Sequence, residues 1–131
     1  MGKRKVPKAA LDIVAAAARH IRELEAEALR VLHGAGDTAA HRAGLTRKCL
    51  VLEALPEDAA GALKDASGAS GPVDAADVAA FATGLESFAH RAGQALSLES
   101  VFFMGALLYP EDYQEGQPND LERFLDRFEA A

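Results

Sequence analysis

The residues of this chain with the widest chemical repertoire are its four histidines, His20, His33, His41 and His90, and the carboxylates near two of them. His20 has Glu23 three residues on, and Glu86 precedes His90 by four, so each pair can meet on one helical face. Facing helices that each contribute His and Glu are how bundle metal centres are built, usually through Glu-x-x-His on two helices plus further glutamates. Neither pair here has that order and spacing. Two solvated surface pairs are therefore expected, and a metal site or helical-bundle enzyme using His20, Glu23, Glu86 and His90 is the alternative. Convergence of the four side chains would decide between them.

Cys49 follows Arg47 and Lys48, cations that favour a thiolate. A nucleophilic thiol also needs a placed base, and the nearest histidine, His41, lies two helical turns away. Cys49 reads instead as a small core residue on the seam of Leu45 and Leu52. There is no glycine-rich phosphate loop, no nucleophile elbow and no Cys/His zinc spacing. No catalytic residue and no cofactor are expected, and an enzyme is the weaker expectation.

The most distinctive stretch is 109–120, which holds both tyrosines and four acids where the rest of the chain is plain. Its functional reading is a recognition loop in which Tyr109, Glu111, Asp112, Tyr113, Asn119 and Asp120 meet a basic partner or a cation. Its other reading is a structured connection whose tyrosines pack over helix ends. A histidine projecting from a helical bundle is similar to that of histidine phosphotransfer domains, where a lysine and a glycine follow in fixed register. His41 and His90 are each followed by Arg and then, at the third position, by Gly. That is one residue short and lacks the lysine, so no phosphotransfer role is carried over.

The elements that must position these residues read as helices throughout. Ala10, Val14, Ala17, Ile21, Leu24, Ala28 and Val31 alternate steps of four and three, an a/d seam that predicts a helix over 8–33 closed by Gly34 and Gly36. Asp37 suits the N-cap of a second helix through Leu45, Cys49 and Leu52. Leu55-Pro56 predicts a bend or an end there, with Pro56-Glu57-Asp58 opening a shorter helix that dies in a linker at 67–72. Asp74 caps a helix over 75–96 carrying Val78, Phe81, Leu85, Phe88, Ala92 and Ala95. The segment 98–109 is apolar nearly all round, which predicts burial, either as a new helix capped by Ser97 or as a straight continuation of the one before it. Asn119 and Glu122 form a capping-box pattern for a last helix with Leu121, Phe124, Leu125 and Phe128 inward. No alternating stretch predicts a strand. Ala-His-Arg-Ala-Gly occurs twice, at 40–44 and 89–93, but the intervals that follow differ, so no clean repeat is expected.

These patterns predict an all-α fold: a compact four-helix-type bundle with one or two additional short helices. Residues 1–8 are expected as a basic flexible tail and 9–131 as a single helical domain. All eight aromatic residues fall between Phe81 and Phe128, so the second half must supply most of the burial. Alanine faces the first helix, which lets a neighbour approach closely and makes that seam a candidate homodimer face. Charge is segregated: residues 1–48 carry a net +5 and 49–131 a net −11, giving −6 overall. That acidity argues against a dedicated nucleic-acid binder, although the basic N-terminal half keeps a phosphate contact open. No apolar run approaches the roughly 18 residues of a membrane span. A lone cysteine fits a reducing compartment, so the cytoplasm is expected. The function these features favour is a non-catalytic interaction or assembly module, acting as a homodimer or on a protein partner.

Overall fold

The structure, a computed structural model, describes residues 2–67 and 73–131. The elements are β1 (Arg4–Val6), α1 (Lys8–Ala35), α2 (Thr38–Ser67), α3 (Ala75–Ser97), α4 (Val101–Ala106), α5 (Asp120–Leu125) and β2 (Phe128–Ala130). The all-α expectation holds, with three long helices, the middle one packed on both others, and two short ones in place of a fourth long one.

Local chemistry sets most of the boundaries. Gly36 adopts φ +65° after α1, and the amides of Gly36 and Asp37 close back on Leu32 O and Val31 O, each at 3.0 Å. Only a residue without a β-carbon takes that geometry cheaply. Asp37 then accepts from Ala40 N at 2.9 Å and starts α2, as expected of it. Asp74 accepts from Ala76 N at 2.8 Å to open α3. At α5 the capping box is complete: Asn119 Oδ1 accepts from Glu122 N at 2.9 Å, and Glu122 Oε1 from Asn119 N at 2.8 Å.

α2 runs between α1 and α3 and packs along both, whereas α1 and α3 barely touch. Gly44 permits the close α1–α2 approach, since a β-carbon there would lie 3.1 Å from Ala28 Cβ. The aromatic residues fill the space beside this layer. Phe81 stacks edge-on to Phe128 at 4.9 Å and lies 5.3 Å from Phe124, which is itself 5.5 Å from Phe88.

Several expectations are corrected. Pro56 neither ends nor restarts a helix: α2 is continuous through it. Proline removes one rung of the ladder, but Leu52, Leu55 and Ala59 are all fully buried around it, and packing against two helices outweighs one lost hydrogen bond. The basic tail is not wholly a tail. Arg4–Val6 pairs in parallel with Phe128–Ala130, and Val6 is fully buried. These two strands of three residues have no alternation to advertise them; each exists because its partner is there. The predicted helical segment 98–109 shrinks to α4, because Glu99 (φ +52°) and Leu108 (φ +79°) break it on either side. Its cap is Ser100, which accepts from Phe103 N, rather than Ser97. The linker predicted at 67–72 lies, from Gly68 to Pro72, outside the described residues.

The α1 seam is also reassigned. Ala10, Val14, Ala18, Ile21 and Ala28 are buried within the chain itself, so the seam is core and is not free to be a dimer face.

Candidate functional site

Among the described residues Lys48 is the one charged side chain that is completely buried. It sits on the apolar stripe of α2 with Leu45 and Leu52, and its ammonium lies 2.8 Å from Glu25 Oε2 on α1. Its Nζ donates to Leu107 O at 2.8 Å and Gly105 O at 3.3 Å, carbonyls at the end of α4 that no helical amide reaches. Burial pushes the Lys48 pKa down, and Glu25 works against that. An isolated buried charge costs several kcal/mol or more, so each member of this pair depends on the other.

The network continues outward. Tyr109 donates its hydroxyl to Glu25 Oε1 at 2.5 Å, and burial followed by that carboxylate holds the phenol well above its ordinary range. Lys48 Nζ lies 5.2 Å from the Tyr109 ring centre, a cation–π distance. Arg22, one turn before Glu25, grips Glu122 through two hydrogen bonds of 2.6 and 3.1 Å. It also reaches Gln117 O at 3.1 Å and the hydroxyls of Tyr109 and Tyr113 at 3.4 Å. The guanidinium holds the Glu122 carboxyl below the usual carboxylate range. Tyr113 donates to Gln117 O at 2.6 Å and packs edge-on to Tyr109. The connection between α4 and α5 is thus bolted to α1 and α2.

Above this floor lies an open cleft of about 910 Å³ between α1, α2, α4 and the connection. Leu29, Leu45, Val101 and Phe102 give it an apolar wall, while Arg22, Glu25 and Tyr109 form its polar base. His41, also on the wall, is fixed by a 2.8 Å hydrogen bond between its Nδ1 and Ala28 O. Next to the cleft α4 turns its largest side chains outward. Phe102 is 76% exposed, Phe103 52% and Leu98 64%, and the two rings stack edge-on. The expectation that 98–109 is buried therefore fails for these three residues. Six residues of helix cannot hide an all-round apolar surface, and only Met104, Leu107 and Leu108 go inward.

The six recognition-loop residues divide. Tyr109 and Tyr113 belong to the network, Asn119 is a buried cap, and Asp120 pairs with Arg91 at 3.2 Å. Glu111 and Asp112 are exposed. His20, Glu23, Glu86 and His90 are exposed and are not brought together. His20 lies in a groove with Leu50 and Asp58, whereas His90 lies in another with Glu53 and Gly93, and α2 separates them. Among the described residues no three His, Cys, Asp or Glu side chains form a metal-sized group. Cys49 is fully buried, and burial raises its thiol pKa, the opposite of activation.

Sequence reasoning missed the Lys48–Glu25 pair and the exposed phenylalanines. Lys48 had a signal: it stands three residues after Leu45 and four before Leu52, the rhythm of a core position.

No family model, curated protein or solved structure matches the chain. Among the described residues no helix is long and apolar enough to cross a membrane.

Proposed function

We propose that the protein is a cytoplasmic, non-catalytic interaction module that docks a basic amphipathic segment of a protein partner along the cleft and α4. The observation that carries this reading is the outward Phe102, with Phe103 and Leu98 beside it. Contiguous exposed aromatic surface next to an apolar cleft is what interaction sites offer, and its exposure costs stability unless something covers it. The charge of the rim supports a basic occupant. Arg22 is taken by Glu122, whereas Glu115 at the cleft, and Glu111 and Asp112 in the same connection, have no ion pair among the described residues. A homodimer across this surface would bring those acids toward their own copies, which opposes it. The fully buried lone Cys49 suits a reducing compartment.

The test is fluorescence anisotropy with two short designed helices that share a leucine stripe and differ in bearing lysine or glutamate on the other face. The lysine helix should bind, the glutamate helix should not, and Phe102→Ser should weaken binding by about tenfold or more. Absence of binding by both helices, with the protein monomeric throughout, contradicts the reading. A dimer that Phe102→Ser dissociates replaces the partner with a second copy.

A further inference from the structure

The acidic half of the chain has only four cations, Lys64, Arg91, Arg123 and Arg127, and three of them line one cleft. The β1–β2 ladder delivers two more to the same place, Lys3 and Arg4, from the other end of the sequence. Five cations from three separate stretches thus surround a space of about 800 Å³ between α3, α5 and the ladder. They are only partly neutralised. Arg91 has Asp120 at 3.2 Å, Arg4 has Asp77 at 3.4 Å, and Lys3 has the largely exposed Asp126 at 3.5 Å. Arg123 donates to Pro118 O at 3.2 Å, and neither Arg123 nor Arg127 has an ion pair among the described residues.

Solubility does not explain the arrangement. A chain of net charge −6 is already kept apart from its copies by its acids, and like cations that crowd together repel one another. The walls supply what a ligand site needs. Phe88 and Phe124 provide a low-dielectric surface that focuses the positive field, and the hydroxyls of Thr83 and Ser87 provide hydrogen-bonding groups at the lining. Arginine's planar fork matches phosphate oxygens two at a time, so four arginines favour that group over a simple carboxylate.

We infer that this cleft binds a small phosphorylated compound, its phosphate held by Arg123 and Arg127 with Arg91, Lys3 and Arg4 around it. An extended nucleic acid fits less well, because the flanks carry Asp77, Asp126 and Glu129 and the cations face one bounded cleft rather than a track. This cleft shares no lining residue with the one that Phe102 borders, so the inference stands whether or not a partner docks there.

The experiment is isothermal titration calorimetry of the full chain at low salt with inorganic pyrophosphate, inorganic phosphate and a short single-stranded oligonucleotide. Arg123→Gln and Arg127→Gln are compared with Lys64→Gln, which removes the same charge outside the cleft. Both arginines are exposed, so thermal melting of their variants should match the parent. Pyrophosphate should bind more tightly than phosphate, lose about tenfold in affinity in each arginine variant, and be unaffected by Lys64→Gln. No heat with pyrophosphate at millimolar concentration would overturn the inference. So would equal weakening by Lys64→Gln, which marks a net-charge effect. Much tighter binding of the oligonucleotide with the same arginine dependence would replace the small ligand with a nucleic acid.

Discussion

Lys48 occupies a position that the rhythm of α2 reserves for an apolar side chain, between Leu45 and Leu52, with Leu55 and Ala59 continuing the step. Glu25 does the same on α1, completing Ile21 and Ala28. Each charge taken alone resembles an ordinary helix-surface residue, which is why the pair is hard to read from sequence. The spacing was legible; the partner, 23 residues away on another helix, was not. Removing one member leaves the other buried without compensation, so Lys48→Met should cost about 3–5 kcal/mol in chemical denaturation. Lys48→Met combined with Glu25→Met should recover most of that loss; a double variant as unstable as the single would refute the pairing. Glu122 gives the corresponding pH dependence. Its folded pKa lies below the ordinary 4.5, so its contribution is complete above 4.5 and is lost as pH falls through the lower, folded value. Glu122→Gln should therefore flatten the acid limb of the stability profile.

At the scale of elements, the secure sequence signals were those written in caps and long periodicity. α1 begins at its predicted first residue and α3 directly after Asp74, both end within two residues of the predicted limits, and the Asn119–Glu122 box was readable letter by letter. The α1 stripe was read one residue out in part, since Ala18 is buried whereas Ala17 and Leu24 are only half so. Alanine-rich faces leave two neighbouring stripes nearly equal in hydrophobicity, so periodicity alone does not separate them. Glycines on two helices allow a sharper check. A β-carbon on Gly84 would lie 2.1 Å from the Phe124 ring, inside the aromatic cluster, whereas one on Gly61 would meet nothing within 4 Å. Gly61→Ala should stabilise α2 by about 0.5–1 kcal/mol through helix propensity alone. Gly84→Ala gains the same propensity but must displace Phe124, and a net loss of about 1–3 kcal/mol is expected from thermal melting. Two variants of equal sign would show that the α3–α5 contact is looser than described.

For the whole molecule, the segregation of charge and of aromatic residues along the sequence becomes a division of surfaces. The basic N-terminus folds against the three late arginines, and the acidic connection borders the apolar cleft and α4. The sequence foretold that the second half would carry the bulk of the core, and the Phe81, Phe88, Phe124 and Phe128 cluster does so. It did not foretell that Phe102 and Phe103 would be left outside, because composition cannot distinguish an apolar segment that is buried from one awaiting a partner. The most direct measurement is a ¹H–¹⁵N NMR titration of the full chain with the leucine–lysine helix. Docking at the cleft predicts shifts concentrated at Leu29, Leu45, α4 and the residues from Tyr109 to Gly116. Shifts confined to other surfaces, or none at all with the helix in excess, would contradict the account.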